Sequence, residues 1–204
     1  MSALDRAYEE SAAFLGRIWR ENRDVPVEDH VTAILESVRP GLAARLPSGT
    51  LGELVQAYSE PALLVPPALD NSAPAALQTL GARGYTLCLV SNTMRTPGAT
   101  LRKILEHYHV LGCFSRLTFS DECGIRKPDP EIFRLTLRAI GVAPDEAVHV
   151  GDDPILDVQG ARRAGMRVIQ VATDRRDQAL APPPDALIPR LSGLPDAVAE
   201  LEER

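Results

Sequence analysis

The sequence predicts an α/β fold, a Rossmann-like parallel sheet wrapped by helices and preceded by an all-helical segment. Three observations carry that expectation. From about residue 66, short apolar runs alternate with helical stripes, which requires crossover connections and hence parallel strands. Residues 1–60 show helical periodicity alone. Ser91, Asp121 and Asp152 each fall just past a predicted strand, the edge where ligands gather in open α/β sheets. The chain therefore reads as a helical lobe, 1–65, and an α/β core, 66–204.

The elements follow in order. Leu4, Tyr8, Leu15 and Trp19, joined by Phe14 and Ile18, share one face of a first helix, and that face is expected to pack into a core. Val27, Val31, Ile34, Leu35 and Val38 make a second stripe. Pro26, Glu28 and Asp29 suit its entrance, where a fixed φ and negative charge favour the exposed N–H groups. Thr50-Leu-Gly-Glu53 reads as a capping box that opens a third helix. A helix over 72–82 has Pro74 in its first turn and Gly84 past its end.

A strand is predicted over 85–90, then a helix over 97–108 with Leu101, Ile104, Leu105 and Tyr108 on one face. A short strand over 117–119 precedes a helix over 130–140 that stops at Gly141. Residues 147–150 form a strand, 154–164 a helix and 167–171 a strand. Pro182, Pro183 and Pro184 make a loop before a weak strand over 186–188 and a last helix from Leu194.

Composition narrows the function classes. With 204 residues, 45% hydrophobic and 25% charged, the chain has material for a sizeable core. A net charge of −6 opposes a polyanionic partner, so no nucleic acid is expected. The apolar runs, 87–90 among them, are too short for a membrane span. Asp5, Glu9 and Glu10 stand where a secretory signal needs a basic end and an apolar run. Cys88, Cys113 and Cys123 are odd in number and lack metal-ligand spacing, so they read as reduced, buried thiols of a cytoplasmic protein. Oligomeric state is left open. The histidines His30, His107, His109 and His149 form no ligand pattern. His107 and His109 face different ways on their helix, and His149, inside a strand, reads as a packed core residue.

Three segments carry chemistry: LVSNT at 89–93, GIRKPDP at 124–130 and VGDDPILD at 150–157. Asp152, Asp153 and Asp157 are close enough to repel one another unless donors or a cation compensate. Mg²⁺ suits one or two such carboxylates together with water and phosphate. The plainer alternative is that Asp152 or Asp153 caps the helix that Pro154 begins. The serine and lysine upstream favour the metal. Pro128 and Pro130 stiffen the segment from which Lys127 projects, and a positioned ammonium offsets the charge of a phosphoryl group. Ser91 and Asn92 offer a hydroxyl and an amide to phosphoryl oxygens, although a turn or a cap is an equal use for them.

In this order, the three segments resemble the haloacid dehalogenase-like (HAD) hydrolases, in the phosphatase branch with an inserted helical cap. The strongest stretches are SNTMRTPG, TFSDECGIRKPDPEIF and HVGDDPILDVQGARRAGM. The resemblance implies an HAD-like sheet, a cap in 1–65 and Mg²⁺-dependent hydrolysis of a small phosphate ester. It assigns Ser91 to the phosphoryl group, Lys127 to the nucleophile and transferring phosphate, and Asp152 to Mg²⁺, with Asp157 supporting that site. The family's nucleophile lies in a DxDxT-type motif after a first, central strand, and residues 1–204 contain no Asp-x-Asp. Asp5 follows no apolar strand, and Asp70 lies between cap and core. The expectation is therefore a phosphatase by ancestry that does not turn over as this chain, with weakened Mg²⁺ binding. It is either a shortened hydrolase or a degenerate relative that binds a phosphorylated ligand or a protein. A response-regulator receiver fails on order, since receivers place their acids first and lysine last.

Overall fold

Helix α1, Ala3–Arg20, buries Ala7, Ser11 and Leu15, which recur every four residues along one line. Ala7 and Ser11 are small, which lets α2 (Val27–Val38) pack close. Tyr8, expected on this core face, flanks the line and is 40% exposed. Leu4 has a side chain outside those described. Helix α2 buries His30, Val31 and Ile34, while Val38 at its end is exposed. Helix α3 runs over Thr50–Ser59 without the expected capping box. Gly49, at φ +86°, is the N-cap and its carbonyl accepts from Glu53 N, so Thr50 is already helical. Helix α4 is Pro61–Leu64 and α5 is Ala73–Ala82, with Pro74 in its first turn as expected.

Strand β1 covers Cys88–Ser91, shorter at its start than expected because residues 85–87 join no ladder. Helix α6, Gly98–His107, ends before His109, which lies beyond it at φ +56°. The two histidines therefore do not share a helix. Strand β2 is Arg116–Phe119 and α7 is Ser120–Cys123. Helix α8, Pro130–Ile140, starts on the Asp129 side chain, which accepts from Glu131 N at 2.9 Å, and stops at Gly141. Strand β3, Val148–Gly151, precedes a segment expected as one helix. The chain instead makes a π-helical turn over Pro154–Gln159 and then α9, Gly160–Ala164. Strands β4 (Arg167–Val171) and β5 (Ala186–Ile188) and helix α10 (Leu194–Glu202) complete the order.

The computed structural model describes residues 3–172 and 182–203. Among these, the strands form two sheets, β1-β2 and β3-β4-β5, and the pairs β3–β4 and β4–β5 are parallel as predicted. Strands β1 and β3 each have one hydrogen-bonded neighbour, and every residue of both is only half-buried. Strand β4, paired on both edges, buries Val168, Ile169 and Gln170.

Two compact units result. One comprises Met1–Pro67, Ser91–His107 and Phe119–Arg126; the other comprises Ala68–Val90, Tyr108–Thr118 and Lys127–Arg204. The core of the second gathers Leu80, Ile169, Ile188, Leu194, Val198 and Leu201. No described helix is long and apolar enough to cross a membrane. The three cysteines are free and half-buried.

Candidate functional site

The loop that leaves β3 is built around one carboxylate. Asp157 is buried, with its side chain 5% exposed. Its Oδ1 accepts from Lys127 Nζ at 2.6 Å and pairs with His149 Nε2 at 3.0 Å. Its Oδ2 accepts from Asp153 N at 3.0 Å. The His149 contact requires the proton on Nε2, since an ionised carboxylate only accepts. Burial alone would raise the Asp157 carboxyl. The His149 hydrogen bond and the Lys127 charge overcome that and hold it well below the usual carboxylate range.

Three local features place this group. His149 lies in β3, its ring edge-on to Phe133 of α8 with centroids 4.9 Å apart. Gly151 ends the strand, and a Cβ there would sit 2.3 Å from Asp157 Cγ, so only glycine lets the acid fold back over the strand end. The Asp153 side chain accepts from Ile155 N and Leu156 N at 2.9 and 2.8 Å, which starts the π-helical turn that carries Asp157. The capping alternative thus holds for Asp153.

Each loop acid has a distinct state. Asp153 is a cap, and Asp157 is engaged by Lys127 and His149. Asp152 is half-buried; its backbone carbonyl accepts from Gln170 Nε2 at 3.3 Å, and among the described residues its carboxylate has no hydrogen bond or ion pair. Among the described residues, no group of three or more His, Cys, Asp and Glu forms a cage for a metal ion. An ion that keeps most of its water and needs one protein carboxylate fits this donor set, with Asp152 as the available oxygen.

The other predicted residues lie in the first unit. Ser91 ends β1, half-buried, and its Oγ donates to the Asn92 carbonyl at 3.3 Å. Asn92 is half-buried as well. Beyond them is a buried polar knot that sequence reasoning missed. Asp24 accepts from Trp19 Nε1 at 3.0 Å, from Arg126 at 2.6 Å and from the Ser120 hydroxyl. Arg126 also donates to the Thr93 carbonyl, and its guanidinium lies 4.5 Å from the Trp19 ring centroid. Asp121, expected among the active groups, caps α6 by accepting from Gly98 N at 3.1 Å.

Sequence reasoning also missed the role of His149. Its signal was present: it is two residues before Gly151 on a half-buried strand, so its side chain shares a strand face with the loop that follows.

A family model for haloacid dehalogenase-like hydrolases matches residues 5–165. A phosphoserine phosphatase of Thermus thermophilus is 42% identical over 107 residues, covering 50% of this chain and 40% of the relative. A glyceraldehyde 3-phosphate phosphatase of Methanopyrus kandleri is 40% identical over 93 residues, covering 43% of this chain and 40% of the relative. The chain thus spans about two fifths of these curated relatives. Among solved structures, a 2-haloacid dehalogenase of Pseudomonas syringae superposes with a TM-score of 0.66 at 23% identity, covering 97% of this chain and 81% of the other. An HAD phosphatase of Thermococcus onnurineus gives 0.60 at 25% identity, covering 96% and 87%. A match over most of its length, on this sheet and this loop, makes the chain a member of the haloacid dehalogenase-like hydrolases.

Proposed function

We propose that this chain is the phosphate-holding part of a Mg²⁺-dependent phosphatase acting on a small phosphate ester. The observation that carries the reading is the Lys127–Asp157 pair beside Gly151 and Asp152 at the end of β3. A buried carboxylate fixes the lysine while leaving Asp152 available for a hard cation, a division of labour that suits phosphoryl chemistry. The relatives named for phosphate esters support the substrate class.

In this reading the Ser91 hydroxyl and the Asn92 amide, in the first unit, are donors suited to phosphoryl oxygens. Lys127, in the second, is a cation suited to phosphoryl charge. Asp152 is the protein ligand to Mg²⁺, and Asp157 acts by holding Lys127. Mg²⁺, when bound, supplies Lewis acidity and charge neutralisation at the phosphoryl group. Residues 1–65 act as the cap that limits which ester enters.

These 204 residues contain no Asp-x-Asp, so by themselves they supply no attacking carboxylate. The chain alone therefore binds phosphate without appreciable hydrolysis. An assay with an aryl phosphate and Mg²⁺ tests this. Turnover at background level is expected; robust turnover abolished by Asp152→Asn would show that an attacking group is present.

A further inference from the structure

Arg95 stands four residues after Ser91 in the same loop, and both belong to the first unit. It has no carboxylate partner among the described residues. Its guanidinium is nonetheless held in place, 4.9 Å from the centroid of the Tyr58 ring. Tyr58 is braced in turn: the ring of His30, only 2% exposed, meets it edge-on with centroids 6.2 Å apart. A cation stacked on a braced ring is fixed before any ligand arrives, which lowers the entropy cost of binding.

This pair forms one wall of a cleft of about 330 Å³. Thr96 and Ser59 add hydroxyl-bearing residues, while Pro61 and Val65 supply apolar surface. The size is at the low end for small-molecule sites, enough for a few carbons and one polar head. The chain carries a net charge of −6, so an anion needs a local cation to settle here. A guanidinium fork matches the two oxygens of a carboxylate.

We infer that this cleft binds a carboxylate on the part of the substrate remote from phosphorus, with Arg95 as the specificity-determining residue. The inference rests on the phosphate-ester reading above and deepens it: the substrate is a short phosphorylated acid. Tyr58 positions Arg95, and the apolar surface covers the carbons between the two anionic ends.

Two probes that differ by one carboxylate decide it. O-Phosphoserine and O-phosphoethanolamine are titrated calorimetrically into the full chain in Mg²⁺, with inorganic phosphate as a third ligand. O-Phosphoserine is expected to bind about tenfold tighter or better than O-phosphoethanolamine, as a charge-assisted hydrogen bond implies. Arg95→Gln should erase that difference and leave inorganic phosphate unchanged. Arg95→Lys should restore only part of it, because a point charge lacks the fork. Equal affinities in the native chain would overturn the inference. So would an Arg95→Gln variant that still discriminates, or one that weakens inorganic phosphate equally. Absence of binding by all three ligands would instead remove the phosphate reading itself, and this inference with it.

Discussion

Lys127 and His149 meet on a single oxygen, Oδ1 of Asp157, at 2.6 and 3.0 Å. One cation and one ring thus satisfy the same lone-pair edge, while the backbone N–H of Asp153 takes the other oxygen. The carboxylate is tied to β3 through the ring, to its own loop through the amide and to the Lys-Pro-Asp-Pro segment through the ammonium. A site assembled from three stretches of chain becomes one hydrogen-bonded unit.

That unit behaves cooperatively when cut. Lys127→Met leaves a buried carboxylate without its cation and should cost about 3–5 kcal/mol. Removing both members, with Lys127→Met and Asp157→Leu together, should cost clearly less than the two single changes added. Urea unfolding of the four proteins measures the difference. Strictly additive losses would mean the pair is not coupled in solution.

Gly151 is a steric requirement. A methyl group there would overlap Asp157 Cγ, so Gly151→Ala should cost about 1–3 kcal/mol through forced displacement. In an Asp157→Gly background the obstructing Cβ and carboxyl are both gone, and the same substitution should become nearly neutral. Thermal melts of the single and double variants test this. Equal penalties in both backgrounds would place the strain elsewhere.

His30 gives the first unit a pH dependence of known sign. Both ring nitrogens are buried without hydrogen-bond partners among the described residues, and burial lowers its pKa below 6.5 against the opposing pull of Asp24 and Asp29. Below pH 6.5 the unfolded chain takes up a proton that the folded one resists, so stability is full above 6.5 and falls as pH drops toward the folded value. Trp19, the one tryptophan of the chain, lies 6.3 Å from the His30 ring, centroid to centroid, and reports the change by fluorescence. Denaturation midpoints at pH 7.5 and 5.5 should differ in the native chain and converge in His30→Phe. An unchanged difference in that variant would assign the effect to another group.

Much of this was legible in the sequence, because the signals were local. Helix α8 declares itself by Asp129, Pro130 and Gly141, and β4 by the β-branched residues Val168, Ile169 and Val171. Lys127 and Asp157 were singled out by type and setting, and the fold joins them. What escaped depends on distant partners. His149 reads as a packed residue and does pack on Phe133, but its bond to Asp157 is not legible, because that acid is set eight positions on by a π-helical turn that periodicity does not signal. Asp24 and Arg126 are separated by 102 positions, so their buried pair has no local pattern. Tyr8 shares helical spacing with the core stripe, but burial falls on the neighbouring line of Ala7, Ser11 and Leu15.

The central claim is that Lys127, held by the buried Asp157, serves a phosphate anion, and calorimetric titration of inorganic phosphate in Mg²⁺ tests it most directly. The account predicts saturable binding that Lys127→Met weakens about tenfold or more, as loss of a hydrogen bond to a charged group implies. Binding of equal strength in that variant, or no saturable binding in the native chain, would contradict it.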